Sequence, residues 1–91
     1  MKVRYTATAL AEISEILAYI AQDSPAAARR MARRIPDTVE RLRAFPESAA
    51  RTDDPTIRVA TVPRSPYLIF SMVQDDTLII RNVRHAARQR P

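Results

Sequence analysis

The chain has no cysteine, no glycine and no tryptophan, and its 91 residues hold one histidine and one lysine. Without cysteine there is no disulfide framework, no thiolate nucleophile and no thiolate metal site. Without glycine the phosphate-cradling loops of the Walker and Rossmann types are excluded, because they need backbone where no Cβ fits. A nucleophilic serine in a G-x-S-x-G turn is excluded with them. Turns that require positive φ must then use Asn or Asp, or be replaced by type I geometry. A lone histidine among scattered acids shows no ligand spacing, so neither a metal nor a cofactor is expected. No apolar run approaches about 18 residues, and Met1-Lys2-Val3-Arg4-Tyr5-Thr6 lacks the apolar stretch of a signal peptide. The expectation is a soluble, cytoplasmic protein with no membrane association.

What is present is enough for one core. Apolar residues make up 46% of the sequence, well above the disordered range, and a chain this short has room for a single domain over residues 1–91. The net charge is +5, and Lys2 is the only lysine beside fourteen arginines. Arginine presents a planar fork of donors suited to carboxylate and phosphate. A basic balance of this kind admits nucleic acid, an acidic protein or an anionic surface as partner; a GC-rich genome would produce the same arginine bias.

Periodicity sets the elements. Val3 and Tyr5 alternate with Lys2 and Arg4, a short strand. Leu10, Ile13, Leu17 and Ile20 then recur at helical spacing, predicting an amphipathic helix over about residues 8–22. Ser24 and Pro25 read as the cap and first residue of a second helix, with Ala28, Met31, Ile35, Val39 and Leu42 on one face, running to about Ala44. Pro36 falls inside it and either kinks or splits it; the unbroken periodicity favours a kink. Residues 46–55 read as a polar loop. Three β-like runs follow, over residues 57–62, 67–73 and 77–83, joined by turn-forming segments. The expected fold is α+β: an N-terminal strand, an antiparallel helical hairpin and a three-stranded antiparallel meander, with both helices on one face of the sheet. The run Tyr67-Leu68-Ile69-Phe70-Ser71-Met72-Val73 is apolar towards both faces, and two helices can cover only one.

Two basic clusters stand out. Arg29 with Arg33, and Arg30 with Arg34, lie at four-residue spacing on the second helix; a phosphate-binding stripe is one reading and a solvated face the other, favoured because no aromatic residues interleave. The second cluster, Arg58, Arg64, Arg81, Arg84, His85 and Arg88, lies on or beside the sheet. Arg58 and Arg81 sit among apolar strand residues, so each must face water or a partner group. Arg58 and Arg81 stabilising a phosphoryl group, with His85 moving a proton, would be the minimal kit of an RNase. That kit is short of a base, and a histidine near a terminus is more often a structural one.

The order of elements, with Tyr19-Ile20-Ala21, Phe45-Pro46, Ile57-Arg58-Val59, Tyr67-Leu68-Ile69-Phe70 and the ending Val83-Arg84-His85-Ala86-Ala87-Arg88-Gln89-Arg90-Pro91, resembles the RelE/ParE toxin superfamily of type II toxin–antitoxin systems. Relatives commonly carry a glycine after the proline of Phe45-Pro46, where this chain has Ser48-Ala49-Ala50. The resemblance implies one of two activities. RelE-like members cleave mRNA on the ribosome with a set of basic residues and, often, a C-terminal tyrosine. ParE-like members, often tied to plasmid stabilisation, poison DNA gyrase and are not nucleases. The chain has no tyrosine after Tyr67 and no lysine beyond Lys2, so the resemblance is to the ParE-like branch. It implies DNA gyrase as target, with ribosome and mRNA as the alternative, and a cognate antitoxin, ParD-like or similar, in a hetero-oligomer. A member that only binds antitoxin or acts as a co-repressor is the third possibility. The expected antitoxin-binding residues are Leu68, Phe70 and Met72, or their alternates on that strand, with Arg58, Arg81 and Arg84 at the rim. Arg84, His85, Arg88 and Arg90 are the expected target-binding residues.

Overall fold

The computed structural model describes residues 1–88, the side chain of Arg88 excepted. It contains strand β1 (Lys2–Tyr5), helices α1 (Ala7–Asp23) and α2 (Pro25–Ala44), and strands β2 (Ala50–Arg51), β3 (Arg58–Thr61), β4 (Tyr67–Gln74) and β5 (Thr77–His85). The strands form one sheet in the order β1-β5-β4-β3-β2, antiparallel throughout except that β1 runs parallel to β5.

The helices begin where side chains can satisfy their free N–H groups. Thr6, in extended conformation, accepts from the Ala9 N–H at 3.0 Å and starts α1. Ser24 does two jobs: its N–H closes α1 on the Ile20 carbonyl, while its hydroxyl accepts from Ala27 N–H and starts α2. A single residue therefore joins the hairpin, and each hydroxyl cap contributes about 1 kcal/mol. Pro25 follows as the first residue of α2, where its missing N–H is not needed. Helix α2 runs continuously through Pro36, which lies on the exposed side. The helix is not split.

The core lies between the helices and one face of the sheet. Met31, Ile35, Val39 and Leu42 of α2 meet Ile69, Leu78, Ile80 and Val83, with Val3, Tyr5, Ile13, Ile16, Leu17 and Ile20 packed around them. Helix α1 departs from the sequence expectation at Leu10, which is 55% exposed. Its buried sector centres on Ala9, which is fully buried and lets the helix approach closely, and Leu10 lies about 100° round the axis from it.

Two further differences concern the sheet. The segment read as a loop contains a 3-10 turn (Pro46–Ser48) and the two-residue strand β2, so the sheet has five strands. The cause is tertiary: the Arg58 guanidinium donates to the Ala49 carbonyl at 2.9 Å and the Glu47 carbonyl at 3.4 Å, drawing that segment onto β3. The last strand reaches His85, two residues beyond Val83, because Tyr67 on β4 pairs with His85. Val83 is nonetheless the last buried residue of β5.

The β4–β5 hairpin turns on Asp75 and Asp76, both at positive φ (53° and 58°), between the paired Gln74 and Thr77. This is the type I′ arrangement that suits a two-residue hairpin. With no glycine in the chain, aspartate takes the left-handed positions, as its short side chain permits.

Candidate functional site

The ladder decides which side chains share a face. On β4, Tyr67, Ile69 and Ser71 are buried under the helices, whereas Leu68, Phe70 and Met72 alternate onto the opposite face and are half-buried. Phe70 is flanked there by Val59 of β3 and Asn82 of β5, and Met72 by Ile79. Ile79 is buried yet stands outside the core cluster, because it packs on this second face. The result is an apolar strip that no helix covers.

A β-bulge at Phe70/Ser71 on the ladder fixes the charges around the strip. Leu78 and Ile80 face the helices, and so does Val83; strict alternation would turn Val83 outward. One extra residue, Arg81, absorbs the difference and stays exposed, its carbonyl accepting from the Thr6 hydroxyl at 2.9 Å. Its charge also reaches the Asp54 carboxyl, which lies below the usual carboxylate range chiefly because the Thr56 hydroxyl and N–H donate to it, with Arg81 as a smaller contribution.

The expected rim residues do not all meet. Arg84 pairs with Leu68 on the open face, but its Nε reaches 3.4 Å to Glu12 Oε2 over the edge of β5. Arg58 pairs with Ser71 and therefore lies on the helical face, held by the carbonyls of Glu47 and Ala49. Lys2 and Arg4 take part in its place. They pair with Thr77 and Ile79 from parallel β1 and so stand on the same side of the strip as Arg84, one strand further out, towards its Met72 end. Their alternation with Val3 and Tyr5 was visible in the sequence; that β1 lies beside β5 was not.

The Arg58, Arg81 and His85 set is not assembled into one cluster. Arg58 is on the helical face, Arg81 is in the bulge, and His85 packs edge-on against Tyr67 with ring centroids 5.3 Å apart. The His85 Nδ1 accepts from Ala87 N–H at 3.1 Å, which ties the ring to the turn that follows β5. His85 and Arg84 line a recess of about 220 Å³ with Glu12, Tyr19 and Tyr67. Of the other expected target-binding residues, Arg88 is described by its backbone alone, in the 3-10 turn Ala86–Arg88, and Arg90 lies outside the described residues. Among the described residues no group of three or more His, Cys, Asp or Glu side chains could hold a metal.

The architecture is thus a helical hairpin laid on one face of a five-stranded sheet, with an apolar strip open on the other. Residues 3–90 match the family described as the ParE toxin of the type II toxin–antitoxin system parDE. The chain belongs to that family. It is 38% identical over 87 residues to Toxin RelE2 of Caulobacter vibrioides, covering 96% of this chain and 97% of the relative. It is 34% identical over 90 residues to Putative toxin Y4kP of Sinorhizobium fredii, covering 99% and 93%. A solved structure titled as the chromosomal ParDE TA system from P. aeruginosa superposes with a TM-score of 0.81 over 93% of this chain and 95% of that one; at 23% identity this likeness concerns the fold. The protein is a type II toxin–antitoxin toxin of the RelE/ParE superfamily. Among the described residues no helix is long and apolar enough to cross a membrane.

Proposed function

We propose that the protein is a ParE-like cytoplasmic toxin that inhibits DNA gyrase and is neutralised when a cognate antitoxin covers the open face of its sheet. The observation that carries the antitoxin part is the uncovered strip of Leu68, Phe70 and Met72 with cations along its β5 side, Arg84 beside its Leu68 end and Lys2 and Arg4, one strand further out, towards its Met72 end. An amphipathic acidic segment complements such a surface: apolar anchors fill the strip and carboxylates meet the rim. The named solved complex is titled as a ParDE toxin–antitoxin system, which supports an antitoxin as partner in a hetero-oligomer.

The non-nuclease part rests on the separation of Arg58, beside Ser71, from His85, beside Tyr67 at the other end of β4, with Arg81 set aside in the bulge. A metal-free phosphoryl transfer needs its acid, base and charge stabilisers within reach of one phosphate. The relative named Toxin RelE2 keeps the ribosome-dependent interferase as the alternative. Purified toxin in parallel gyrase supercoiling and cell-free translation assays, each with and without antitoxin, separates the readings. Loss of supercoiling that antitoxin restores is the expected result; loss of translation alone overturns the gyrase assignment, and loss of neither leaves only a partner-binding role.

A further inference from the structure

Two polar residues are buried among the described ones, Thr38 and Ser71, and only the first is satisfied. The Thr38 hydroxyl donates to the Arg34 carbonyl at 2.7 Å. Ser71 is 2% exposed, and among the described residues its hydroxyl has no hydrogen-bond partner. A hydroxyl taken out of water and left unpaired is unfavourable, so such groups are nearly always met by something. Ser71 lines a recess of about 500 Å³ at the end of β4 away from His85.

The register sets a polar pair and an apolar pair side by side in that recess. Arg58 stands opposite Ser71, and Leu78 stands opposite Val73. Ser71 and Val73 are two residues apart, hence on one face and about 7 Å from each other along the strand. Val73 belongs by alternation to the helical face, yet it is 49% exposed. Helix α2 ends at Ala44, and the helical layer stops short of this corner. Pro46 and Glu47 of the turn after α2, with Pro55 and Thr56 of the β2–β3 loop, wall the recess instead.

Arg58 is held in place with part of its donor set unused. Its Nη1 donates to the Ala49 and Glu47 carbonyls, which fixes the guanidinium plane. Of the five N–H donors of an arginine, those on Nε and Nη2 are unpaired among the described residues. That edge offers two parallel N–H groups, the arrangement that takes both oxygens of a carboxylate. The Glu47 side chain also lines the recess but makes no ion pair with Arg58; the ion pairs among the described residues are Arg43–Glu40 and Arg84–Glu12.

We propose that this recess binds an aliphatic carboxylate, its oxygens met by Arg58 Nε and Nη2 and by the Ser71 hydroxyl, its apolar body lying on Val73 and Leu78. One guanidinium edge and one hydroxyl match the acceptors of a single carboxylate. A phosphate dianion would face one cation with the Glu47 charge beside it, so the site favours a monoanion. The volume falls within the range of small-ligand sites, about 300–1,000 Å³. A free aliphatic acid and a polypeptide C-terminus ending in an aliphatic residue share this chemistry.

The test is a nuclear magnetic resonance titration of the isotope-labelled full chain with isocaproate, its neutral amide, inorganic phosphate, and a short alanine peptide ending in leucine with a free or amidated C-terminus. Isocaproate is expected to shift the Arg58 Nε–H resonance and the amides of residues 71–73, and isocaproamide to leave them in place. Ser71→Ala deletes a group that bonds nothing within the fold, so its melting temperature should match the parent while isocaproate binding weakens roughly tenfold. Val73→Asp, at an exposed position, sets a like charge against the ligand and should weaken binding by more than about tenfold. Arg41→Gln, on the exposed side of α2, is the control for general basicity and should change nothing. Binding of the free-ended peptide but not its amidated form identifies a polypeptide C-terminus, and binding of isocaproate without the peptide identifies a free acid; either upholds the site. Equal binding of isocaproamide, tighter binding of phosphate, an equal loss in Arg41→Gln, or no shift at about 10 mM isocaproate overturns it. A lowered melting temperature in Ser71→Ala overturns it as well, since the hydroxyl would then have a partner within the fold. Gyrase, translation and antitoxin play no part in the readout, so this site and the proposed function fail separately.

Discussion

Replacing Glu12 by alanine is expected to destabilise the fold by about 2 kcal/mol. Strand β1 ends at Tyr5, so the edge of β5 beyond Arg81 has no neighbouring strand. Glu12 of α1 takes the place of that neighbour. Its Oε1 accepts from the Val83 N–H at 2.9 Å and from Asn82 Nδ2 at 3.2 Å. Deleting the acceptor leaves a backbone N–H without a partner, which costs about 1–3 kcal/mol, and removes hydrogen bonds to a charged group worth about 1.5–3 kcal/mol. The carboxylate is 23% exposed, so water recovers part of that loss. The Arg84 contact adds little, because at 3.4 Å with the guanidinium 48% exposed it is a screened surface pair worth below about 1 kcal/mol. In a domain of this length each kcal/mol moves the melting temperature by roughly 4–8 °C. Urea titration followed by circular dichroism, with a thermal melt alongside, measures both quantities. Glu12→Gln keeps one acceptor oxygen and is expected to lose about half as much. A loss under about 0.5 kcal/mol in Glu12→Ala would refute the edge-capping role. So would an equal loss in Arg84→Ala, since the ion pair would then carry the effect.

Three further outcomes are expected. Asp75→Asn with Asp76→Gly puts the preferred type I′ pair into the β4–β5 hairpin and removes two adjacent like charges; stability should rise by about 0.5–1 kcal/mol, read as a higher urea midpoint at constant slope. The Tyr5 phenol is pushed above its ordinary value of 10.0 by burial, with the Glu40 charge adding to it. The fold therefore favours the neutral phenol: that contribution is whole below pH 10.0 and is lost as the pH climbs from there through the raised folded-state value. Tyr5→Phe should match the parent near neutrality and show a shallower alkaline fall in thermal melts. Phe70→Glu places a charge in the open strip; antitoxin affinity in calorimetry should drop by about thirtyfold or more, while stability changes by under about 1 kcal/mol because no helix packs on that face.

The sequence alone determined the two helices and four of the five strands, because the signals for them are local. The Ser24-Pro25 pair marks a helix start through a hydrogen bond made within three residues, and Met31, Ile35, Val39 and Leu42 carry the helical period of α2. The two-faced character of β4 was legible as well, since alternation along one strand needs no partner. What only the tertiary structure decided are the relations between elements. Arg58 and Leu68 lie on opposite faces because of the β3–β4 register, and neither strand states that register by itself. Arg81 is the residue that the bulge sets aside, and a bulge reflects the mismatch between two strands. Strand β2 exists because Arg58 reaches across to Ala49, and Lys2 and Arg4 flank the open strip because β1 returns beside β5. Pro46, Arg58 and Ser71 converge on one recess because the turn after α2 comes to lie over the end of β4, far apart as they are in the chain. Periodicity is a property of a few consecutive residues; pairing and convergence depend on which surfaces bury best against each other across the whole domain.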